Sequence, residues 1–308
     1  MSSTRPLPSA LSALDRAPVW LNSAPLTADE LRGRVVLVDF WTYSCVNWLR
    51  TLPYLRAWDA RYRDRELVIV GVHAPEFGFE HDLDNVRCAA RALGVTYPVV
   101  IDNDFSIWRS FENHYWPAVY LVDRGGQVSF HHFGEEAYVE TERAIQQLLS
   151  FDEGTVEVDA DGLAEAADWD TLRSPETYLG SARGERRSDA NTAGLAVNHW
   201  TLAGQWSIRD EAAVVEAAGG VLAYRFQARD INLVLAPPAE GVPVRFTVRL
   251  DGQPPGDAHG LDVDESGSGT VVEPRMYQLV RQRAAVAERT FEITFLEAQV
   301  RAYVFTFG

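Results

Sequence analysis

The pattern of hydrophobic and polar positions changes about half-way along the chain. In the first half, apolar runs alternate with segments of helical periodicity. Residues 35–41, VVLVDFW, form a run with one charge, which is typical of a central strand buried on both faces. The pattern predicts, in chain order, strand 35–41, helix 45–63, strand 66–73, helix 81–94, strand 97–102, helix 104–113, a hairpin over 117–134 and helix 135–150. This order indicates an α/β domain with a mixed sheet flanked by helices.

The second half follows the two-residue period of β-strands. Segments such as VLAYRFQARDINLVLA and VRAYVFTFG alternate apolar and polar residues, and Gly, Pro and Asp turns separate them without a helical pattern. Such spacing predicts an all-β sandwich or jelly roll. An acidic, weakly patterned stretch separates the two halves. We therefore predict an α/β domain at 1–152, a linker at 153–175 and a β-sandwich domain at 176–308.

Composition and charge exclude several classes of function. A net charge of -16, spread over 308 residues, argues against nucleic acid or an anionic membrane surface as a partner. All 28 basic residues are Arg, which rules out a Schiff-base lysine and the lysine of a phosphate-binding loop. No apolar run approaches the roughly 18 residues of a membrane helix, and the N-terminus lacks the apolar region of a secretory signal. As written, the sequence predicts a cytoplasmic protein without a membrane span.

The chemistry that the sequence offers centres on one thiol. Two cysteines, Cys45 and Cys88, are too few for a disulfide scaffold or a cysteine zinc site. The stretch WTYSCVNWLR at 41–50 places Cys45 where a buried strand gives way to a helix. The positive end of the helix dipole and free backbone N–H groups lower the pKa of a thiol at this position. Cys45 is therefore a candidate nucleophile, with inert packing as the alternative.

Separated motifs in both halves occur in the order seen in one family. The first half contains LRGRVVLVDFWTYSC, VIVGVHAPEF, YPVVIDND, YWPAVYLVDRGGQV and HHFGE, and resembles the redoxin branch of the thioredoxin superfamily, the TlpA-like and DipZ-like thiol-disulfide oxidoreductases. The second half contains SPETYLG, LDVDESGSG, EPRMYQLVRQ and AYVFTFG, and resembles the carbohydrate-binding-like β-sandwich module that follows the redoxin domain in DipZ-type proteins. The resemblance implies a thioredoxin fold, exchange with protein or low-molecular-weight thiols and disulfides, and a location outside the cytoplasm.

The resemblance also implies roles for single residues. Cys45 matches the first cysteine of the family's Cys-x-x-Cys motif. Pro117 matches the proline that members hold cis beside the sulfur, and Glu76 matches a carboxylate proposed to manage protons there. A trans proline at a strand edge and a plain loop carboxylate are the alternatives. The residues expected to surround the thiol are Trp41, Thr42, Tyr43, Trp48 and Trp116.

Trp48 occupies the position of the second cysteine, where the chain departs from the family. In the usual mechanism this cysteine resolves the mixed disulfide that the first one forms. An indole cannot do so, and we expect it to cover the sulfur and to offset part of the dipole's effect. Cys88 has the spacing of the helix face that carries Val86 and Leu93, so we predict that it packs in the core. The predicted enzyme is a thiol-disulfide oxidoreductase with a single active-site cysteine that depends on an outside thiol.

Two other functions are consistent with the sequence. In a single-cysteine thiol peroxidase, Cys45 becomes a sulfenic acid that an external thiol reduces. Thr42 lies three residues before Cys45, as in peroxiredoxins. The proline expected four residues before this threonine is Val38 instead. Alternatively, redox activity is lost and the sandwich binds a glycan or a protein. An aromatic platform for a glycan would consist of Trp200, Trp206, Tyr224 and Tyr277, although aromatic residues in sandwiches are usually core.

Residues 262–273, DVDESGSGTVVE, fit the spacing of a calcium loop. Asp262, Asp264, Ser266 and Glu273 would supply the oxygen ligands. The flanking helices are missing, and a turn built from Asp, Ser and Gly explains the same letters. Both interpretations stay open at this point, and we assign no cofactor or metal to the candidate active site.

Overall fold

The computed structural model describes residues 10–239 and 241–308. The described chain forms two compact units, one ending at Ala164 and the other spanning Glu165–Gly308. The division falls inside the acidic stretch that separates the two sequence patterns, so each unit contains one pattern.

The beginning of the acidic stretch packs on the first unit. Arg61 pairs with Glu153 at 3.2 Å, and the backbone N–H of Val156 donates to the Glu142 carboxylate at 2.8 Å. Residues 153–164 are therefore part of the α/β unit rather than a free connection.

A six-stranded mixed sheet forms the centre of the first unit. Its strands are β1 (Trp20–Leu21), β2 (Val35–Trp41), β3 (Leu67–His73), β4 (Val99–Ile101), β5 (Ala118–Val122) and β6 (Val128–Phe133). Its α-helices are α1 (Ala28–Leu31), α2 (Val46–Tyr62), α3 (Leu83–Ala92), α4 (Ser106–Ser110) and α5 (Tyr138–Leu149). The strands follow the order β1-β4-β3-β2-β5-β6, in which β2, β3 and β4 are parallel and the others antiparallel to their neighbours. The predicted thioredoxin fold is confirmed.

Three loops lie side by side at one end of the strands of this sheet. Strands β2 and β3 are parallel and end in register, because Trp41 is paired with His73. Strand β5 is antiparallel to β2 and pairs its first residue, Ala118, with Phe40. The loops that follow Trp41 and His73 and the loop that precedes Ala118 therefore lie side by side.

The second unit consists of two antiparallel sheets. Its strands are β7 (Thr177–Tyr178), β8 (Trp200–Ala203), β9 (Trp206–Ile208), β10 (Ala213–Val215), β11 (Gly220–Gln227), β12 (Asp230–Ala236), β13 (Val244–Leu250), β14 (Ser268–Val271), β15 (Arg275–Arg281), β16 (Glu288–Phe295) and β17 (Arg301–Phe307). One sheet has the order β15-β12-β17-β10-β9, with β7 also paired to β17, and the other has the order β14-β13-β16-β11-β8. Apolar side chains from both sheets form one buried core. The predicted all-β sandwich is confirmed.

Short 3₁₀ helices complete the described structure, at Ala10–Arg16, Arg63–Arg65, Gly78–His81, Gly162–Ala164, Thr192–Gly194 and Gly256–Ala258. None of the described helices is long and apolar enough to cross a lipid bilayer.

The aromatic residues predicted to form a glycan platform lie mainly inside the sandwich. Trp200, Tyr224 and Tyr277 belong to the buried core, and Trp206 packs against it with part of its ring exposed. The Tyr224 hydroxyl is also held by Thr177 at 2.9 Å. Three of the four rings therefore lie in the core, as is usual for aromatic residues of sandwiches, and do not form a platform open to solvent.

The segment with calcium-loop spacing is organised by an arginine. Arg275 pairs with Asp262 at 2.7 Å and with Glu273 at 3.1 Å. Asp264 accepts hydrogen bonds from the Ser266 hydroxyl at 2.6 Å and from the backbone of Ser268 at 2.8 Å, as in an Asp-initiated turn. The guanidinium group thus neutralises two of the four carboxyl and hydroxyl groups that calcium would need.

We expect calcium to leave the thermal stability of the protein unchanged. A cation that binds only the folded state raises the melting temperature, and the stabilisation grows with the logarithm of the cation concentration divided by the dissociation constant. Because Arg275 already neutralises Asp262 and Glu273, melting curves with millimolar calcium and with a chelator should coincide. A calcium-dependent rise of several degrees would instead support the calcium-loop interpretation.

Candidate active site

Cys45 lies between strand β2 and helix α2. It is the N-cap residue of this 17-residue helix, with φ -80° and ψ 115°. Its backbone N–H donates to Thr42 O at 3.3 Å, and its carbonyl accepts from the N–H of Leu49 at 3.0 Å. The side chain is partly exposed. The thiol therefore lies at the N-terminus of a long helix and within reach of solvent.

The loop before strand β5 lies next to this thiol. The Trp116–Pro117 peptide bond is cis, as the resemblance implies. The Cys45 sulfur is 3.9 Å from Trp116 O and donates to it. The Trp116 indole N–H donates to Ala74 O at 3.1 Å, which joins this loop to the loop after β3. All three loops at the sheet edge are thus connected around Cys45.

Trp48 points into the protein, away from solvent. Its side chain is completely buried, stacks on Trp41 with ring centroids 4.3 Å apart, and donates its indole N–H to Asp39 Oδ2 at 3.0 Å. The expectation that the Trp48 indole covers the Cys45 sulfur is therefore not met, because the Cys45 side chain is partly exposed. The indole fills the space beneath the helix instead.

Asp39 is a site residue that the sequence analysis did not select. It is the one charged residue of strand β2 and is completely buried. Burial raises the pKa of this carboxyl from 3.8 to about 7, against the hydrogen bonds from Trp48 and Tyr97, which lower the pKa. The single charge in an otherwise apolar strand was the signal that could have identified it.

A second buried carboxyl, Glu80, lies under the active-site loop. The hydroxyl of Ser44, the residue before Cys45, donates to Glu80 Oε1 at 2.6 Å. Glu80 Oε2 accepts from the backbone N–H groups of Glu76 at 2.6 Å and Phe77 at 3.0 Å. Burial is the main cause that raises the pKa of Glu80 from 4.5 to about 7.

The predicted residue Glu76 takes a different place from Glu80. Glu76 is partly exposed in the loop after β3, and its backbone, not its carboxylate, makes the hydrogen bond to Glu80. The carboxyl that holds the active-site loop through Ser44 is therefore Glu80, four residues further along the chain. No repeat or spacing in the sequence distinguishes the two glutamates.

The remaining predicted neighbours form the buried wall of the site. Trp41 and Tyr43 both contact the ring of His73, at centroid distances of 4.9 Å and 5.9 Å. Burial lowers the pKa of His73 from 6.5 to about 3, so this imidazole is neutral. Thr42 is also buried, and its hydroxyl does not hydrogen-bond the Cys45 sulfur.

Cys88 lies on the solvent side of helix α3, so the prediction that it packs in the core is wrong. The buried residues of α3 are Val86 and Ala90. Cys88 is two residues from each of them, which places it on the opposite side of a helix with 3.6 residues per turn. Neither cysteine forms a disulfide in the described part of the chain, and Cys88 is exposed.

The site offers thiol and carboxyl chemistry. Within residues 10–239 and 241–308, no group of three or more His, Cys, Asp or Glu side chains is placed to hold a metal ion. The functional groups that the fold does assemble at the sheet edge are one accessible sulfur, two buried carboxyls of raised pKa and a cis peptide bond beside the sulfur.

Comparison with known proteins finds similarities that extend over both units. Residues 174–308 match a family model described as thioredoxin like C-terminal domain. Protein DipZ of Mycobacterium tuberculosis is 34% identical over 251 residues, which are 76% of this chain and 35% of DipZ. The resemblance to DipZ-like redoxins is confirmed. The chain spans about a third of the length of DipZ.

Two further similarities concern the first unit. Thiol-disulfide oxidoreductase YkuV of Bacillus subtilis is 29% identical over 132 residues, which are 42% of this chain and 88% of YkuV. A crystal structure of a thiol:disulfide interchange protein from Chlorobium tepidum covers 43% of this chain and 92% of its own, with 21% identity and a TM-score of 0.39. The name of YkuV agrees with the predicted class of enzyme, a thiol-disulfide oxidoreductase.

Proposed function

We propose that the protein is a thiol-disulfide oxidoreductase that uses the single active-site cysteine Cys45. The observation that supports this most directly is the position of the sulfur, partly exposed at the N-terminus of α2 and 3.9 Å from the carbonyl of a cis Trp116–Pro117 bond. Trp48 is buried and holds no sulfur, and Cys88 is on the outer side of α3. In the proposed mechanism, therefore, neither residue resolves the mixed disulfide at Cys45.

The exchange then takes two steps with an external thiol. The Cys45 thiolate attacks one sulfur of a substrate disulfide. A mixed disulfide forms, the substrate S–S bond breaks, and the leaving sulfur keeps the electron pair and takes up a proton. A low-molecular-weight thiolate next attacks the substrate sulfur of the mixed disulfide, releases Cys45 as thiolate and stays joined to the substrate in a new disulfide. These two steps exchange disulfides without net reduction. A second external thiol that attacks the new disulfide completes the two-electron reduction of the substrate, and the two external thiols leave joined as their own disulfide.

In this mechanism the carboxyl that acts on the active-site loop is Glu80, and its positioning role differs from the proton-managing role that the resemblance suggested for Glu76. Its three hydrogen bonds tie Ser44 to the loop after β3 and so fix the residue next to the nucleophile. Trp116 ties the cis-proline loop to the same segment through Ala74 O. Glu80 is thus a positioning residue for the loop that carries Cys45.

The structure favours this function over the two alternatives. A peroxidase in which Thr42 assists the sulfur lacks the required hydrogen bond, since the Thr42 hydroxyl does not bond to Cys45. The glycan-binding alternative lacks its aromatic platform, because three of the four rings lie in the sandwich core. Of the two locations considered, we propose the extracytoplasmic one, because the resemblance to DipZ-type proteins implies it.

Mass spectrometry of the Cys88→Ser variant tests the proposed function. With one cysteine left, we expect glutathione disulfide to add glutathione to Cys45 and excess glutathione to remove it. The exposed position of Cys88 makes the substitution neutral for stability, within about 0.5 kcal/mol. The matched control carries Cys45→Ser as well and should remain unmodified.

Two outcomes contradict the proposal. If hydrogen peroxide converts Cys45 to a sulfenic acid while glutathione disulfide leaves it unmodified, the protein is a peroxidase. If the thiol of the folded protein is inert to both reagents at neutral pH, the redox function is lost and a binding function remains.

A further inference from the structure

Strand β6 is an exposed edge strand that contains no Asp, Glu or Arg. It is the outermost strand on one side of the first sheet and pairs with β5. Its six residues, VSFHHF, include no Asp, Glu or Arg, although 23% of the whole chain is charged. Proteins usually protect such edges with charges, proline or a covering element, because the free backbone groups pair with other extended chains. An exposed edge strand of this kind, without carboxylate or guanidinium groups, points to a partner.

Three exposed rings lie on one face of this edge, and we call Tyr115, His131 and Phe133 the β6 surface. Phe133 contacts Tyr115 and His131 at centroid distances of 5.2 Å and 5.0 Å. Tyr115 is 56% exposed and Phe133 is 40% exposed. The buried ring of Tyr120 supports both His131 and Phe133 from β5. The rings therefore form one continuous aromatic surface on the paired strands β5 and β6.

The β6 surface is continuous with the candidate active site. Tyr115 is bonded to Trp116, whose carbonyl accepts from the Cys45 sulfur. At the other end, the backbone N–H of Gly134, the residue after Phe133, donates to Pro117 O at 2.8 Å. A substrate polypeptide that reaches Cys45 along the cis-proline loop therefore lies next to the β6 surface.

We propose that the β6 surface binds an extended polypeptide that carries the disulfide attacked by Cys45. This inference rests on the proposed function and names its substrate class. A strand edge offers backbone donors and acceptors that only another polypeptide can match, and aromatic rings at alternate positions accept its side chains. A small disulfide such as glutathione disulfide uses neither feature. The surface thus selects unfolded or flexible polypeptide segments over low-molecular-weight disulfides.

Kinetics with two substrates test the proposal in the full chain. One substrate is unfolded ribonuclease A that carries glutathione in disulfide linkage, and the other is glutathione disulfide. We expect the double substitution Tyr115→Ser and Phe133→Ser to slow the reaction of Cys45 with the polypeptide about tenfold, as for the loss of aromatic anchors. The rate with glutathione disulfide should stay within about twofold of the unsubstituted chain.

The control substitutes an equally exposed apolar residue in the other unit. Val272 is 47% exposed on the sandwich, and Val272→Ser should leave both rates unchanged. The proposal is overturned if the double variant reacts with both substrates at the original rates, or if both rates fall together. It is also overturned if size-exclusion chromatography shows a dimer that the double substitution dissociates, since a second copy then covers the β6 surface.

A binding measurement separates this inference from the proposed function. Fluorescence anisotropy of a labelled, cysteine-free unfolded polypeptide reports binding without any exchange chemistry. In the Cys45→Ser background we expect binding that Tyr115→Ser and Phe133→Ser together weaken about tenfold. Binding with this pattern supports the β6 surface even if Cys45 proves unreactive, and absence of binding overturns it even if Cys45 reacts.

Discussion

Replacing Trp48 by Cys is expected to give the protein a dithiol activity, measured as reduction of insulin disulfides with a small dithiol as electron donor. Position 48 lies three residues after Cys45 and within one turn of α2, where side chains are neighbours at a spacing that a disulfide can bridge. The introduced thiol would resolve the mixed disulfide at Cys45 from within the chain, so turnover would no longer depend on a second external attack.

The same substitution is expected to lower the free energy of unfolding by about 3–5 kcal/mol, the usual loss for removing a large aromatic side chain from a core. The Trp48 indole is completely buried, stacks on Trp41 and donates to Asp39. A cysteine side chain leaves most of that space empty and removes the hydrogen bond to the carboxyl. Urea unfolding measures this loss.

The control is Trp48→Ser, which makes a similar cavity and supplies no thiol. We expect it to be destabilised to the same extent and to remain inactive with insulin, while Trp48→Cys gains activity and loses it again when Cys45→Ser is added. If folded Trp48→Cys forms no disulfide between Cys45 and the introduced thiol and reduces no insulin, then the helix N-terminus is not a working redoxin site.

The elements that carry the fold could be predicted because their burial appears in the residue pattern. Parallel strands in the middle of a sheet are covered on both faces, so β2 and β3 contain almost only apolar residues. In the sandwich, β13 and β16 alternate because one face of each lies in the core, whereas β12 and β17 are buried on both faces. These patterns are local, and a local pattern is sufficient to locate a strand.

The candidate site could be predicted only as far as its residues are adjacent in sequence. Cys45 and its helix follow from local pattern. The contact between Ser44 and Glu80 joins residues 36 apart and depends on the way that the Gly78–His81 turn brings Glu80 back under the loop. Such a contact has no signature in a single sequence.

Helix orientation explains the two errors about side-chain direction. Trp48 faces inward because helix α2 turns position 48 toward β2, and the indole then finds Asp39. Cys88 faces outward because α3 buries Val86 and Ala90 instead. The helical period fixes the angles between residues of one helix. When the apolar face is short, however, the period does not decide which residues point to the core, and the assignment can shift by one or two positions.

The substitution Glu80→Gln is expected to remove a pH dependence of stability. Burial raises the pKa of Glu80 from 4.5 to about 7, so the folded protein binds this proton more tightly than the unfolded chain does. Between these two pH values the folded state holds more protons, and the free energy of unfolding therefore falls as the pH rises, then levels off above about pH 7. A shift of this size corresponds to about 3 kcal/mol.

Glutamine isolates this effect because it imitates the protonated carboxyl. Its amide oxygen can accept from the N–H groups of Glu76 and Phe77, and its amide nitrogen can donate to the Ser44 hydroxyl. The measurement is urea unfolding of both proteins between pH 4 and 8. As the pH rises through this window, the free energy of unfolding of Glu80→Gln should increase relative to that of the unsubstituted chain by about 3 kcal/mol. His73 and Asp39 titrate equally in both proteins, so their contributions cancel in the difference. Parallel stability curves would mean that Glu80 keeps an ordinary pKa, and that its hydrogen bonds to the active-site loop outweigh its burial.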